Sequence, residues 1–341
     1  MADKEQLKPP RSYSRLTIIS IILMVAVGAA IILIDRKQVV NLLGKSDWRY
    51  LVGSVLFTAI SYVAGSISSV VMMRIFNIKL RTTHLFNISM VSIAMQNLTA
   101  QPAGVSLRIL LLGKHRVKNS QTVAASLLLA YFRNLLFFML VPFSLIYIVV
   151  SHPLPSFGIV TILLIVVILV ALLVIATGIA FYARLRAYVL RGMGHIWRLV
   201  LRHDIQERLA QFNETITVGV DDLRKKRENL LPLAISIVVD VAATVTALWF
   251  CFAALDIPVQ LGVLLTGFNF GVTLTLIPLI PGSIGVQEAS MAGMMALFGV
   301  PFSQGVIAAI LFRVVYYFVP FVASLALFWS LFREKVATGK S

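Results

Sequence analysis

Four ionisable residues stand where an apolar chain should carry none: Arg133, Asp240, Glu288 and Arg313. A charge at bilayer depth is costly, so such residues pair with one another, face a wet cavity or meet a ligand. Counting about 1.5 Å per residue from the start of each apolar run places Arg133, Asp240 and Arg313 roughly 14–18 Å in, near a bilayer midplane. Two cations and two anions at similar depth admit two readings. In one they form buried salt bridges that lock helices together, such as Asp240 with Arg313. In the other the arginines receive a lipid phosphate, which the planar guanidinium fits well.

Glu288 closes an unusual stretch. Leu274 to Phe298 is apolar enough for a bilayer, yet it holds Pro278, Pro281, Gly282 and Gly285. Proline removes a backbone donor, and broken backbone at membrane depth survives only inside protein or beside a wet cavity. The pattern predicts a re-entrant hairpin with its tip at Pro281-Gly282-Ser283. The helix that restarts there offers free N–H groups and a positive dipole end to an anion. Gln101-Pro102-Ala103-Gly104 can do the same from the other face of the membrane. Glu288 then steadies the restarted helix, pairs with an arginine, meets a cationic headgroup or takes up a proton. Asn97, Asn269 and Gln287 either line a wet cavity or tie down hairpin backbone.

The elements that must position these residues follow from composition. Of 341 residues 59% are hydrophobic and 13% charged, with mean hydropathy +0.92. That excludes an ordinary soluble domain and fits an all-α polytopic membrane protein. The net charge of +16 reflects loop topology and attraction to anionic headgroups rather than nucleic-acid binding. One cysteine, Cys251, rules out a disulfide framework. No His-Glu-x-x-His, Walker A or Gly-x-Ser-x-Gly motif occurs, so no catalytic residue, metal or cofactor is expected, and movement would be passive or ion-coupled.

Six apolar runs are long enough to span: about 16–34, 50–73, 121–150, 158–182, 231–254 and 304–332. Two interrupted runs, about 84–112 and 260–300, are left over as hairpins. Loop charges orient them. Lys4, Lys8, Arg11 and Arg15 put the N-terminus in the cytoplasm, and Arg333, Lys335 and Lys340 do the same for the C-terminus. The first leftover run has basic flanks and enters from the cytoplasm; the second lacks them and enters from outside. Loop 35–49, with four basic and two acidic residues, fits its external assignment least well.

The chain then divides into an N-terminal helix and loop (1–49), a first repeat (50–157), a linking span with a basic cytoplasmic segment (158–230), and a second repeat with a tail (231–341). Each repeat reads span, hairpin, span, in inverted orientation. Asn97, Pro102, Gly104 and Arg133 parallel Asn269, Pro281, Gly282 and Arg313, with Pro-to-Arg separations of 31 and 32. Inverted repeats with broken helices are a transporter signature, the substrate lying near the midplane. Segment 183–230 carries ten Lys/Arg, interleaved in its first half with Leu and Trp. It is either a helix in the headgroup plane or a solvated linker.

Three segments carry a resemblance: Pro281-Gly282-Ser283-Ile284-Gly285-Val286-Gln287-Glu288-Ala289, Leu297-Phe298-Gly299-Val300-Pro301, and Arg313-Val314-Val315-Tyr316-Tyr317-Phe318-Val319-Pro320. Together they resemble the lysylphosphatidylglycerol synthetase transmembrane-region family, which includes the flippase half of the bacterial multiple peptide resistance factor. Asn97, Pro102, Gly104 and Arg108 fit its first-half pattern. The resemblance implies a bacterial cytoplasmic-membrane protein that moves or handles lipids with modified or glycosylated headgroups. It adds Arg108 and Tyr317 to the substrate-binding residues. Ser283 replaces the second glycine of the family's hairpin tip, and Val105 stands where many members carry an acid. The few residues after the last span leave no soluble aminoacyl-transferase domain, so this chain is expected not to synthesise aminoacyl lipids. The implied partners are an anionic or modified lipid, a second copy of the chain and a separate lipid synthase. Two rivals stay open: a lipid-modifying transferase using Glu288 as general base, and a non-transporting subunit of a lipid synthase.

Overall fold

The computed structural model describes residues 44, 46–98, 101–151, 156–201, 206–275 and 285–333. The expected first span, at 16–34, and the hairpin tip Pro281, Gly282 and Ser283 lie outside them. Every described element is helical. In order they are α1 (Trp48–Ile75), α2 (Thr82–Leu98), α3 (Gln101–Gly113), α4 (Asn119–Ser151), α5 (Ser156–Phe181), α6 (Ala183–Leu201), α7 (Gln206–Lys225), α8 (Leu230–Ala254), α9 (Leu261–Thr275), α10 (Val286–Ala296), α11 (Phe302–Arg313) and α12 (Val319–Arg333). Short turns intervene at Arg227–Asn229 and, in π form, at Val314–Phe318. Among the described residues four helices are long and apolar enough to cross a membrane: Trp48–Ile75, Asn119–Ser151, Arg227–Ala254 and Phe302–Leu331. Val166–Phe181 and Ala183–Gly192, bent by 99° at Tyr182, make a fifth if taken as one span.

The order long helix, two half-length helices, long helix occurs twice. α1 and α8 are the long helices on which each group begins, and they pack against each other antiparallel along most of their length. Small residues make this possible, because close backbone approach replaces hydrophobic drive between helices in lipid. Gly53 leaves the space that the Phe250 ring fills, 2.6 Å from where a Cβ would stand. Ser54 Oγ donates to Ala247 O at 2.9 Å, and Asp47 N donates to Ala254 O at 3.0 Å, fixing the register from the end. The opposite face of α1 presents Val52, Val55, Leu56, Val63 and Ile67, all exposed, as expected of a lipid-facing stripe.

Each pair of half-helices is pinned by glycine. A Cβ on Gly104 would lie 2.5 Å from Ser92 O and from Gln96 Cβ, so α3 crosses α2 with no room for a side chain. In the second pair, Gly267 and Gly271 on α9 receive Met291, Met295 and Gln287 of α10. Two apolar clusters result. One, with Met73, Leu85, Ile88, Leu112 and Leu128, holds the first pair; the other, with Phe252, Leu264, Phe268, Met291 and Phe312, holds the second.

The basic segment is more structured than a linker. Lys226 Nζ donates to Arg74 O and Ile75 O, both at 3.0 Å, closing the carbonyl end of α1. α6 turns away from α5 at the 99° bend, as a helix lying along a membrane surface would. Arg184 and Arg191 are exposed, but Arg186 turns inward to Asn213 Oδ1 (2.7 Å), Thr217 Oγ1 (2.5 Å) and Ala180 O (2.7 Å). It ties α6 to α7 and is withdrawn from the headgroup series that the sequence pattern gave it.

Gly104→Ala should lower stability by about 1–3 kcal/mol, since backbone at Ser92 cannot yield. Gly293→Ala meets nothing within 4 Å and should raise it by about 0.5–1 kcal/mol through helix propensity. Thermal unfolding of both variants in detergent checks this; equal shifts would contradict the close crossing.

Candidate functional site

The four charges form two ion pairs. Arg133 Nη2 of α4 meets Asp240 Oδ2 of α8 at 3.2 Å, and Arg313 Nε meets Glu288 Oε1 of α10. The partnership of Asp240 with Arg313 is therefore not the one formed. Asp240 is 3% exposed and its second oxygen is also engaged, accepting from Ser61 Oγ at 2.5 Å. Ser61 reaches Thr244 Oγ1 (3.0 Å) and Tyr316 Oη (2.8 Å) as well, and those two meet at 2.9 Å. A carboxylate without water needs an acceptor's worth of donors on each oxygen; an arginine and a hydroxyl supply them.

Glu288 is treated alike. While Oε1 faces Arg313, Oε2 accepts from Gly285 N at 2.8 Å. Gly285 has φ +80°, a conformation that glycine adopts without strain, and from it α10 starts at Val286. Glu288 thus sits in the first turn, capping the helix as an acid near a positive dipole end should. Both of its oxygens are held, which is poor geometry for a free general base. Gln287 Oε1 beside it accepts from Tyr317 Oη at 3.2 Å and lies 3.4 Å from Arg313 Nη2. The Arg313 guanidinium also stands over the Tyr317 ring, 5.3 Å from its centre.

One π turn serves both clusters. At Val314–Phe318 the backbone underwinds, and Val319 N bonds Val314 O. Such bulges re-aim side chains and recur at functional sites. Consecutive tyrosines diverge here: Tyr316 reaches Ser61 and Thr244, while Tyr317 reaches Gln287. Pro320 has no N–H to return to Tyr316 O, and Tyr62 Oη donates to that carbonyl at 3.0 Å. Asn97 Nδ2 in turn donates to Tyr62 Oη at 3.1 Å, joining the first half-helix pair to the network.

The remaining expected residues scatter around this centre. Asn269 is 1% exposed and donates to Ser144 Oγ of α4 at 2.9 Å. Gly104 serves the crossing of α2 and α3, and Pro102 is exposed near the start of α3. Arg108, 4% exposed, donates to Ser126 Oγ at 3.0 Å and lines a cavity of about 40 Å³ together with Arg133 and Asp240. Sequence reasoning did not single out Ser61, Tyr62, Thr244 or Tyr316. The signal was present in α1, where Ser54, Thr58, Ser61, Gly65 and Ser68 recur every three or four residues, marking a buried small-residue face.

Among known proteins, the family described as Lysylphosphatidylglycerol synthase TM region matches residues 17–324. No curated protein matches the chain. With the apolar helices, that match makes this a multi-pass membrane protein of a lipid-related family.

Removing either partner of the Arg133–Asp240 pair should cost about 3–5 kcal/mol, because a buried charge is left uncompensated. Arg133→Leu and Asp240→Leu together should recover most of that loss. Unfolding of the two single variants and the double variant in detergent measures the coupling; strictly additive losses would contradict a desolvated pair.

Proposed function

We propose that this chain, which belongs to the Lysylphosphatidylglycerol synthase TM region family, is a lipid translocase. It moves a phospholipid or glycolipid with a modified headgroup across the bacterial cytoplasmic membrane, with both termini on the cytoplasmic side. The observation that carries the reading is the Arg313–Glu288 pair at the head of a half-length helix, side chains 12% and 7% exposed. A headgroup that bears both a phosphate and an amine can replace each member of that pair. The phosphate takes Arg313 and the amine takes Glu288, so no charge is left uncompensated at membrane depth. Gln287 and Tyr317, already bonded to each other beside the arginine, supply neutral contacts for the rest of the headgroup.

Movement follows from the two groups of helices acting as an inverted repeat, one half-helix pair opening to each side. Rocking of one group against the other would expose the site alternately. The junction that must flex is the one crossed by Arg133–Asp240 and by the π turn. Hydrogen-bonded side chains can exchange partners there at little cost while staying satisfied. A separate synthase would supply the modified lipid, and a second copy of the chain would complete a dimer.

Proteoliposomes containing fluorescent phosphatidylglycerol, its lysyl form or a polyprenyl-phosphate sugar test this. One of these lipids should cross faster than in protein-free vesicles. Arg313→Ala and Glu288→Gln should each slow it by about tenfold or more, the equivalent of losing one charge-assisted hydrogen bond. Well-folded Arg313→Ala protein that moves lipid at the wild-type rate would overturn the assignment.

A further inference from the structure

A buried guanidinium in the first repeat has almost nothing to hold. Arg108 lies on α3 with 4% of its surface exposed, and its single partner among the described residues is Ser126 Oγ. Its Nε has no acceptor. The described carboxylates that form ion pairs, Asp240 and Glu288, belong to Arg133 and Arg313. An arginine offers five N–H donors, and a buried cation without a counter-charge is strongly disfavoured. Other arginines here are matched: Arg186, also 4% exposed, has three acceptors within 2.7 Å.

What lies in front of Arg108 is a cavity of about 40 Å³, room for a few waters or one small oxyanion. Its walls include Gln96, Ser68, Ser126, Arg133 and Asp240. Two arginines and one aspartate give the cavity a net positive charge. Val105, one helical turn before Arg108, also lines it and contributes no carboxylate. The polar wall, the spare donors and the uncompensated charge all ask for the same guest.

We infer that this cavity is an oxyanion site, in which the Arg108 guanidinium and Ser126 hydroxyl take a tetrahedral phosphate-type group. Either a lipid phosphodiester or inorganic phosphate provides that chemistry. The site is separate from the Arg313–Glu288 pair and does not depend on lipid movement.

The test is binding by the full chain in an uncharged detergent, titrated with inorganic phosphate by calorimetry, and thermal stability in nanodiscs of phosphate-free digalactosyldiacylglycerol against phosphatidylglycerol. Wild type should bind phosphate. Arg108→Gln and Val105→Asp should each weaken it at least tenfold, the second by placing a carboxylate within reach of Arg108. Because Val105→Asp neutralises a buried charge instead of removing a side chain, it should fold at least as well as wild type. If phosphatidylglycerol also stabilises wild type, and both variants lose that gain, the lipid phosphodiester occupies the site. If phosphate binds but the two lipids stabilise equally, the guest is the free oxyanion. Wild type that binds neither probe, or a Val105→Asp protein that binds as wild type does, would overturn the proposal.

Discussion

Two carboxylates set inside an apolar helical bundle each have both oxygens engaged, and much of the architecture exists to make that so. Asp240 needs α1 close enough for Ser61 and α4 close enough for Arg133. Glu288 needs a capping glycine three residues before it and an arginine arriving from α11. In hydrocarbon no water would complete a missing bond, so each acid fixes the spacing of the helices around it. The small residues of α1 and the positive-φ glycine before α10 are the local consequences.

The half-length helices follow the same logic. A helix that stops within the bilayer leaves unbonded backbone at its end, tolerable only where protein covers it. Each of these helices is therefore packed tightly along a glycine face, Gly104 in one pair and Gly267 with Gly271 in the other. The π turn joins the two charged clusters by adjacent tyrosines, so a change at Tyr317 is felt at Tyr316 and through it at Asp240. This gives the proposed headgroup site and the junction between the helix groups a direct physical connection.

The long helices within the described residues were legible because long apolar runs have few alternatives, and α1, α4, α5, α8 and α11–α12 fall where hydropathy put them. The half-helices were legible from the Pro and Gly that interrupt otherwise apolar runs. Charge positions were legible too, since Arg133, Asp240, Glu288 and Arg313 are costly wherever they stand. Their partners were not. Asp240 lies on a helix near both arginines in depth, and only the packing of α4 on α1 and α8 selects Arg133. The serine and tyrosine network was hidden for a related reason: hydroxyls in an apolar helix cost little, so their presence carries no warning. The burial of Arg186 was not legible because its basic neighbours on α6 are exposed, while burial against Asn213 and Thr217 depends on where α7 returns.

The central claim is that a lipid headgroup separates Glu288 from Arg313. A cryo-electron microscopy map of the protein in nanodiscs containing the transported lipid tests it most directly. The account predicts headgroup density between the two side chains, with phosphate on Arg313 and the pair opened. A map in which bound lipid is confined to the outer surface and the pair stays closed, for protein that demonstrably moves that lipid, would contradict it.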